Sequence, residues 1–234
     1  MSQRPRRPVP LSVAPAVPIH EPDLVRAHKE AVVEALRWAW AELGRRDSRI
    51  LQTGDEESIT AKLQGILNER RKGKRIVPWL KDFETVSRSE NQVTADGRLQ
   101  KKPDLTFRPL AYPKVTNTTH WGWFVECKLI DGSASVKAYR EKGVHRYYTG
   151  EYAAWMPSGA LVAYVRDGSQ PAQTLRNALR GHVGTRRQIR GPTADRSEST
   201  HDRSRLAKPC VDVVLVHLWL LAPDPQELLL VVGL

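Results

Sequence analysis

Cysteine is nearly missing from this chain of 234 residues: only Cys127 and Cys210 occur, with no C-x-x-C pair. That argues against a disulfide framework and against a thiolate zinc site. Long apolar runs are missing as well. No stretch reaches the roughly 18 apolar residues of a bilayer-spanning helix, and a myristoylation start is absent, so a membrane partner would have no anchor. Prolines at positions 5, 8, 10, 15, 18 and 22 interrupt every apolar stretch near the start. They leave no hydrophobic segment for a secretory signal and no amphipathic helix for organelle targeting, so a cytoplasmic protein is expected. Acid, finally, is in deficit. Lys plus Arg number 37 against 26 Asp plus Glu, a net charge of +11. This excludes an acidic, Ca²⁺-buffering surface and makes a polyanion the first partner to consider.

What is present suffices for a sizeable core, since 40% of residues are hydrophobic. Residues 1–22 read as a Pro-rich, disordered arm, and 23–234 as a single domain. From Asp23, a plausible N-cap, an amphipathic helix places Val25, Val32, Leu36, Trp40 and Leu43 on one stripe. A second helix starts near Asp55 and buries Ile59, Leu63, Ile66 and Leu67. Its exit is basic, with Arg70, Arg71, Lys72, Lys74 and Arg75 around Gly73. The period then changes. Segments 83–88, 104–108 and 122–130 read as strands, followed by a helix from Ser133 or Ser135 through Tyr147, an apolar strand at 160–165 and a helix over 171–180. Residues 184–208 hold many charges and almost no large apolar side chains, which predicts a flexible insertion. Two C-terminal strands, VDVVLVHLWLL and ELLLVVGL, close the chain.

The chemistry concentrates in two short motifs, Pro103-Asp104 and, 22 positions beyond Asp104, Glu126-Cys127-Lys128. In a strand, Glu126 and Lys128 share a face while Cys127 points away. The surrounding residues are apolar: Trp123, Phe124, Val125, Leu129 and Ile130. Charges in such a strand are costly unless paired or engaged at a rim. A hairpin would bring Asp104 toward Glu126. Two carboxylates plus the main-chain carbonyl of Cys127 are hard oxygen ligands suited to Mg²⁺, or to Mn²⁺. A buried Asp/Glu/Lys ion-pair cluster that stabilises strand register is the alternative.

The element order helix-strand-strand-strand-helix-strand, with PD on the second strand and E-x-K on the third, resembles the PD-(D/E)xK nuclease superfamily over about residues 55–166. The resemblance implies an α/β restriction-endonuclease-like core, to which this chain adds an N-terminal helix and C-terminal strands. It also implies metal-dependent hydrolysis of phosphodiester bonds, with Asp104 and Glu126 binding the metal and Lys128 orienting or deprotonating the attacking water. DNA is the expected substrate by the same resemblance, with RNA not excluded. A role in prokaryotic restriction or anti-phage defence is expected on that ground alone, with a homodimer or a partner subunit as the assembly. The segment GVHRYYTGEYAAWMPSGALVAYV is also similar to stretches in uncharacterised bacterial proteins of this group.

Members of the superfamily often add a glutamate from the helix before the sheet, and Glu56 and Glu57 are the candidates. Glu56 borders the buried stripe whereas Glu57 is turned about 100° away, which favours Glu56 as the third carboxylate. Both acids would also complement a helix N-terminus. Lys142 and Arg146 lie four apart beside the Tyr139/Tyr147 stripe and are candidate DNA-backbone contacts, or simply a solvated face. His145 and His217 read as structural, and Trp121 and Trp123 as core or rim packing rather than base-stacking platforms. Two other functions compete: a non-catalytic nucleic-acid-binding or assembly subunit that keeps the fold, and a winged-helix-type DNA binder. The second leaves a charged pair inside an apolar strand unexplained.

Overall fold

The computed structural model describes residues 21–72, 80–88, 102–111, 118–169, 171–180, 182, 184–190, 193–206 and 212–223. Most of the expected N-terminal arm, the 73–75 part of the basic exit and the ELLLVVGL strand lie outside them. Helix α1 runs Arg26–Thr53 and α2 Glu56–Lys72. Six strands follow: β1 Leu105–Phe107, β2 Trp123–Ile130, β3 Ser158–Val165, β4 Thr185–Arg190, β5 Arg196–Asp202 and β6 Asp212–Leu221. Between β2 and β3 the chain forms α3 Ser133–Ala138, a π turn Tyr139–Val144 and α4 His145–Tyr148, and α5 Pro171–Leu179 precedes β4. The strands make one mixed sheet in the order β1-β2-β3-β6-β5-β4, with β2, β3 and β6 parallel and the outer pairings antiparallel. Among the described residues no helix is long and apolar enough to cross a membrane.

The sheet is covered on both faces, as parallel strands require. On one face Trp40 of α1 stacks on Tyr164 of β3, 5.2 Å between rings, and Thr60 of α2 bonds the Tyr164 hydroxyl at 3.1 Å. On the other face the 133–148 segment lies over β2 and β3, with close approach built into the sequence. A Cβ on Gly143 would meet Leu161 at 2.6 Å, and one on Gly159 would meet the Tyr147 ring at 2.4 Å. Tyr147 is fully buried, its hydroxyl donating to Phe124 O at 2.8 Å and lying 3.0 Å from Ala160 O. Gly159→Ala is therefore expected to displace Tyr147 and cost about 1–3 kcal/mol, the usual penalty of overpacking. Urea unfolding measures it; an unchanged midpoint would show that the helical segment shifts freely on the sheet.

Four expectations need correction. Helix α1 starts at Arg26 rather than Asp23, because Asp23 is engaged elsewhere, by Lys29, Leu24 N and the Ser158 hydroxyl. Val25 is consequently 60% exposed and off the buried stripe. The same helix also runs on past Leu43, the last residue of the expected stripe, to Thr53, with non-helical backbone at Asp47, whose carboxylate accepts from Ile50 N and restarts the helix. Segment 83–88 is not a strand but touches the sheet at two bridges, Phe83↔Pro109 and Ser87↔Thr106.

The largest correction concerns 184–208, which is β4 and β5 rather than an insertion. The inward side chains of β5 are polar, so the alternation carries no hydrophobic signal: Ser197, Ser199 and His201 are buried on one face and Arg196 on the other. Arg196 is paid for by Glu30 of α1 at 2.5 Å and Glu198 at 3.0 Å. The histidine face forms a connected polar chain. Tyr139 Oη lies 2.7 Å from His217 Nδ1, and Ser199 Oγ lies 2.7 Å from both His217 Nε2 and His201 Nε2. Thr185 Oγ1 then links His201 Nδ1 to His182 Nδ1, each at 3.2 Å. Each polar group thus finds a partner inside the protein, which is what permits a polar strand in the core.

Candidate active site

The site sits where the sheet edge runs out. The β1–β2 ladder ends at Leu105↔Val125, while β2 continues to Ile130. Alternate residues of β2 therefore present unpaired main-chain groups toward that edge, and two acidic side chains take their N–H groups. Asp104, one residue before β1, accepts from Cys127 N at 2.7 Å, and Glu56 Oε2 accepts from Leu129 N at 3.0 Å. Glu56 is placed by its own helix start: Asp55 Oδ1 accepts from Ser58 N at 2.7 Å, capping α2 one residue earlier. Glu57 turns outward and pairs with Arg88 at 3.0 Å.

Glu126 and Lys128 project to the face covered by the 133–148 segment. Glu126 is 1% exposed and Lys128 9%. The Lys128 ammonium has three donors and three acceptors: Cys127 O at 2.6 Å, Glu56 Oε1 at 2.7 Å and Glu126 Oε1 at 2.8 Å. Arg146 Nη1 adds a second cation on Glu126 Oε1 at 2.8 Å and also donates to the Tyr152 hydroxyl at 2.6 Å. Glu126 Oε2, in contrast, is buried with no partner. The Asp104 and Glu126 side chains are close enough that each perturbs the other's proton affinity.

Burial, then Asp104's charge, pushes the Glu126 carboxyl up to about 8, with Lys128 and Arg146 pulling the other way. Asp104 is raised by burial too, against Lys128 and the Cys127 N–H. For Lys128 burial alone would lower its proton affinity, but the carboxylates of Glu126, Glu56 and Asp104 outweigh it and raise it. Three acids thus face two bases, and the shortfall of positive charge falls on the Asp104/Glu126 pair.

That pair is the part of the cluster that fits a divalent metal. It offers hard oxygen donors, one of them a buried carboxylate oxygen with nothing to bond, the arrangement a cation relieves. Among the described residues no three His, Cys, Asp or Glu side chains are grouped to hold a metal. Glu56 reaches the cluster with both oxygens spent on Lys128 and Leu129 N, and the Cys127 carbonyl is taken by Lys128. The fit is therefore to one ion on two carboxylates, with water or substrate oxygens filling its other positions. A cleft of about 480 Å³, lined by Asp55, Glu56, Glu57, Thr60, Arg88, Lys102, Pro103 and Asp104, opens beside it.

Asp104, Glu126, Lys128 and Glu56 are thus brought together from α2, the start of β1 and β2. Lys142 and Arg146 are not on a common exposed face: Lys142 is exposed, whereas Arg146 turns inward to Glu126. The sequence did carry a hint, since Arg146 lies three residues after Gly143, where the segment packs closely on Leu161 of β3. Tyr152 had no comparable signal. Trp121 and Trp123 are buried, and His217 belongs to the polar chain under β5. His145 is exposed beside Tyr148 and His182. No protein-family model matches the chain, and no curated protein matches it either.

Proposed function

We propose that the protein is a metal-dependent nuclease that hydrolyses DNA phosphodiester bonds, with an endonuclease-like core of the PD-(D/E)xK kind. The observation that carries this is the unpartnered, buried Oε2 of Glu126, a residue that interacts with the Asp104 carboxylate and is flanked by Lys128. A bound Mg²⁺ or Mn²⁺ supplies a nucleophile from water near neutral pH and offsets charge developing on the phosphate. Asp104 and Glu126 hold it. Lys128, kept as an ammonium by its three acceptors, is not the base that deprotonates the water; with all three donors taken, it orients the water by exchanging one of those acceptors for it. Glu56 holds Lys128 in place and closes the strand edge. The net charge of +11 supports a polyanionic substrate through counterion release and attraction.

Supercoiled plasmid incubated with Mg²⁺ or Mn²⁺ is expected to be cut, and EDTA to prevent it. Linear, single-stranded and RNA substrates in the same assay separate DNA from RNA and endonuclease from exonuclease. Intact plasmid under every metal condition would overturn the reading. The two glutamates should behave differently. Glu56→Gln is expected to slow cleavage about 10–100-fold, as loss of a residue that orients the reacting group does, while the exposed Glu57→Gln leaves it unchanged. Equal effects would show that Glu56 only complements the helix start.

A second reading is favoured by the pairing of Glu126 with both Lys128 and Arg146, which satisfies much of its charge without metal. On it the chain is a non-catalytic nucleic-acid-binding or assembly subunit, and the cluster fixes strand register. It predicts DNA binding unaffected by EDTA and no cleavage.

A further inference from the structure

We infer that Arg146 and Tyr152 are a positioning pair that sets the spacing of the Asp104 and Glu126 carboxylates for the cation; this rests on the nuclease reading of the site. The two acids come from different segments, and the ladder joining those segments stops at Leu105↔Val125, before either of them. Ladder hydrogen bonds therefore do not fix one carboxylate against the other. Cys127 N holds the Asp104 carboxylate against β2 at 2.7 Å, and a side-chain path adds a second tie, on the Glu126 side. Arg146 Nη1 donates to Glu126 Oε1 at 2.8 Å and to the Tyr152 hydroxyl at 2.6 Å, and that hydroxyl donates to Lys102 O at 3.3 Å, two residues before Asp104. The path thus closes a loop from the strand bearing Glu126 to the segment bearing Asp104.

Its geometry suits orientation rather than phosphate contact. Arg146 and Lys128 both load Oε1 of Glu126, which leaves Oε2 buried and without a donor. The guanidinium lies over the Tyr152 ring, 5.3 Å from its centre, and Tyr152 N donates to Arg146 O at 3.1 Å, so the two residues are fixed to each other. Tyr152 is 1% exposed and packs edge-on against Tyr147 at 5.6 Å, which is itself tied to β2 through Phe124 O. The pair is thus buried and tied to β2 through packing and hydrogen bonds, as groups that orient metal ligands must be.

Two variants that conserve charge test this by isothermal titration of the full chain with MnCl₂, without DNA. Tyr152→Phe keeps the ring and removes only the hydroxyl. It is expected to weaken Mn²⁺ binding about 10–100-fold, with the metal-free melting temperature held by the retained ring packing. Arg146→Lys keeps the charge but loses the planar fork, so it should show a similar loss and carries the test if Tyr152→Phe folds poorly. Because Tyr152 acts through Arg146, adding Tyr152→Phe to Arg146→Lys should weaken binding no further. Wild type that binds Mn²⁺ alongside variants that bind it equally well overturns the positioning pair alone, as do additive losses. Wild type that fails to bind Mn²⁺ overturns the nuclease reading and the pair with it.

Discussion

Glu126→Gln is expected to fold like the parent protein and to cleave DNA on the order of 10³-fold more slowly, the scale of losing one electrostatic stabiliser of a transition state. The amide keeps the size and one acceptor oxygen, so Lys128 and Arg146 retain a partner on that side chain. Lys128 also keeps Glu56 and Cys127 O, and Arg146 keeps the Tyr152 hydroxyl. The amide nitrogen can donate to Asp104, relieving the repulsion that, after burial, raises the Glu126 carboxyl. Stability should therefore hold or rise while the anionic donor is lost, the usual tension between a strained site and a stable fold. Lys128→Met should behave in the opposite way. It leaves Glu126, Glu56 and Asp104 with one fewer cation at a site where Lys128 is 9% exposed, and removing one partner of a buried pair costs about 3–5 kcal/mol. Plasmid cleavage rates and urea unfolding, measured on both variants, distinguish these effects. A Glu126→Gln protein that cuts normally would remove the metal-binding role of Glu126.

Acid should destabilise the fold well before its carboxylates titrate in the unfolded chain. His201 and His217 are held neutral, each lowered from 6.5 to about 3, first by burial, then for His201 by His182 and Arg203 and for His217 by His201. Between those values the unfolded chain binds protons that the folded chain refuses. The stability contributed by the neutral histidines is thus complete above pH 6.5 and lost progressively as pH falls toward 3. At pH 5 the loss is about 2 kcal/mol for each histidine. The groups around them cannot relieve it by accepting charge: Ser199, Tyr139 and Thr185 are neutral hydroxyls, and His182 is itself lowered by burial. Urea unfolding of Glu126→Gln at pH 7 and pH 5 measures the difference, because in the parent protein the raised Glu126 carboxyl binds its proton more tightly in the folded state over this range and offsets part of the loss. His217→Asn should flatten the dependence by about half; equal stability at the two pH values would mean that the histidines are protonated in the folded state.

The parts of this fold that were legible in the sequence are those where burial and apolarity coincide. Strand β2 announced itself because Glu126 and Lys128 interrupt an otherwise apolar run, and β3 and β6 because their alternate faces are both covered by helices. Helical phase separated Glu56 from Glu57, since one residue turns an α-helical side chain by about 100°. Strand β5 was hidden for the converse reason. Its buried positions carry Ser197, Ser199, His201 and Arg196, whose fitness for the core depends on Tyr139, His217 and Glu30 far away in the chain. The same dependence on distant partners hid Tyr152, whose hydroxyl has meaning only once Arg146 and Lys102 are beside it. The bare edge of β2, capped by Asp104 and Glu56 side chains, likewise follows from β1 being only three residues long.

An anomalous difference map from crystals soaked in Mn²⁺, collected alongside crystals of Glu126→Gln, tests the two-carboxylate cation site most directly. The expected result is one strong peak bonded to Asp104 and to Glu126 Oε2 in the parent protein and its loss in the variant. A map with no peak there, or with manganese bound elsewhere on the chain while Glu126 stays paired with Lys128 and Arg146, would contradict it.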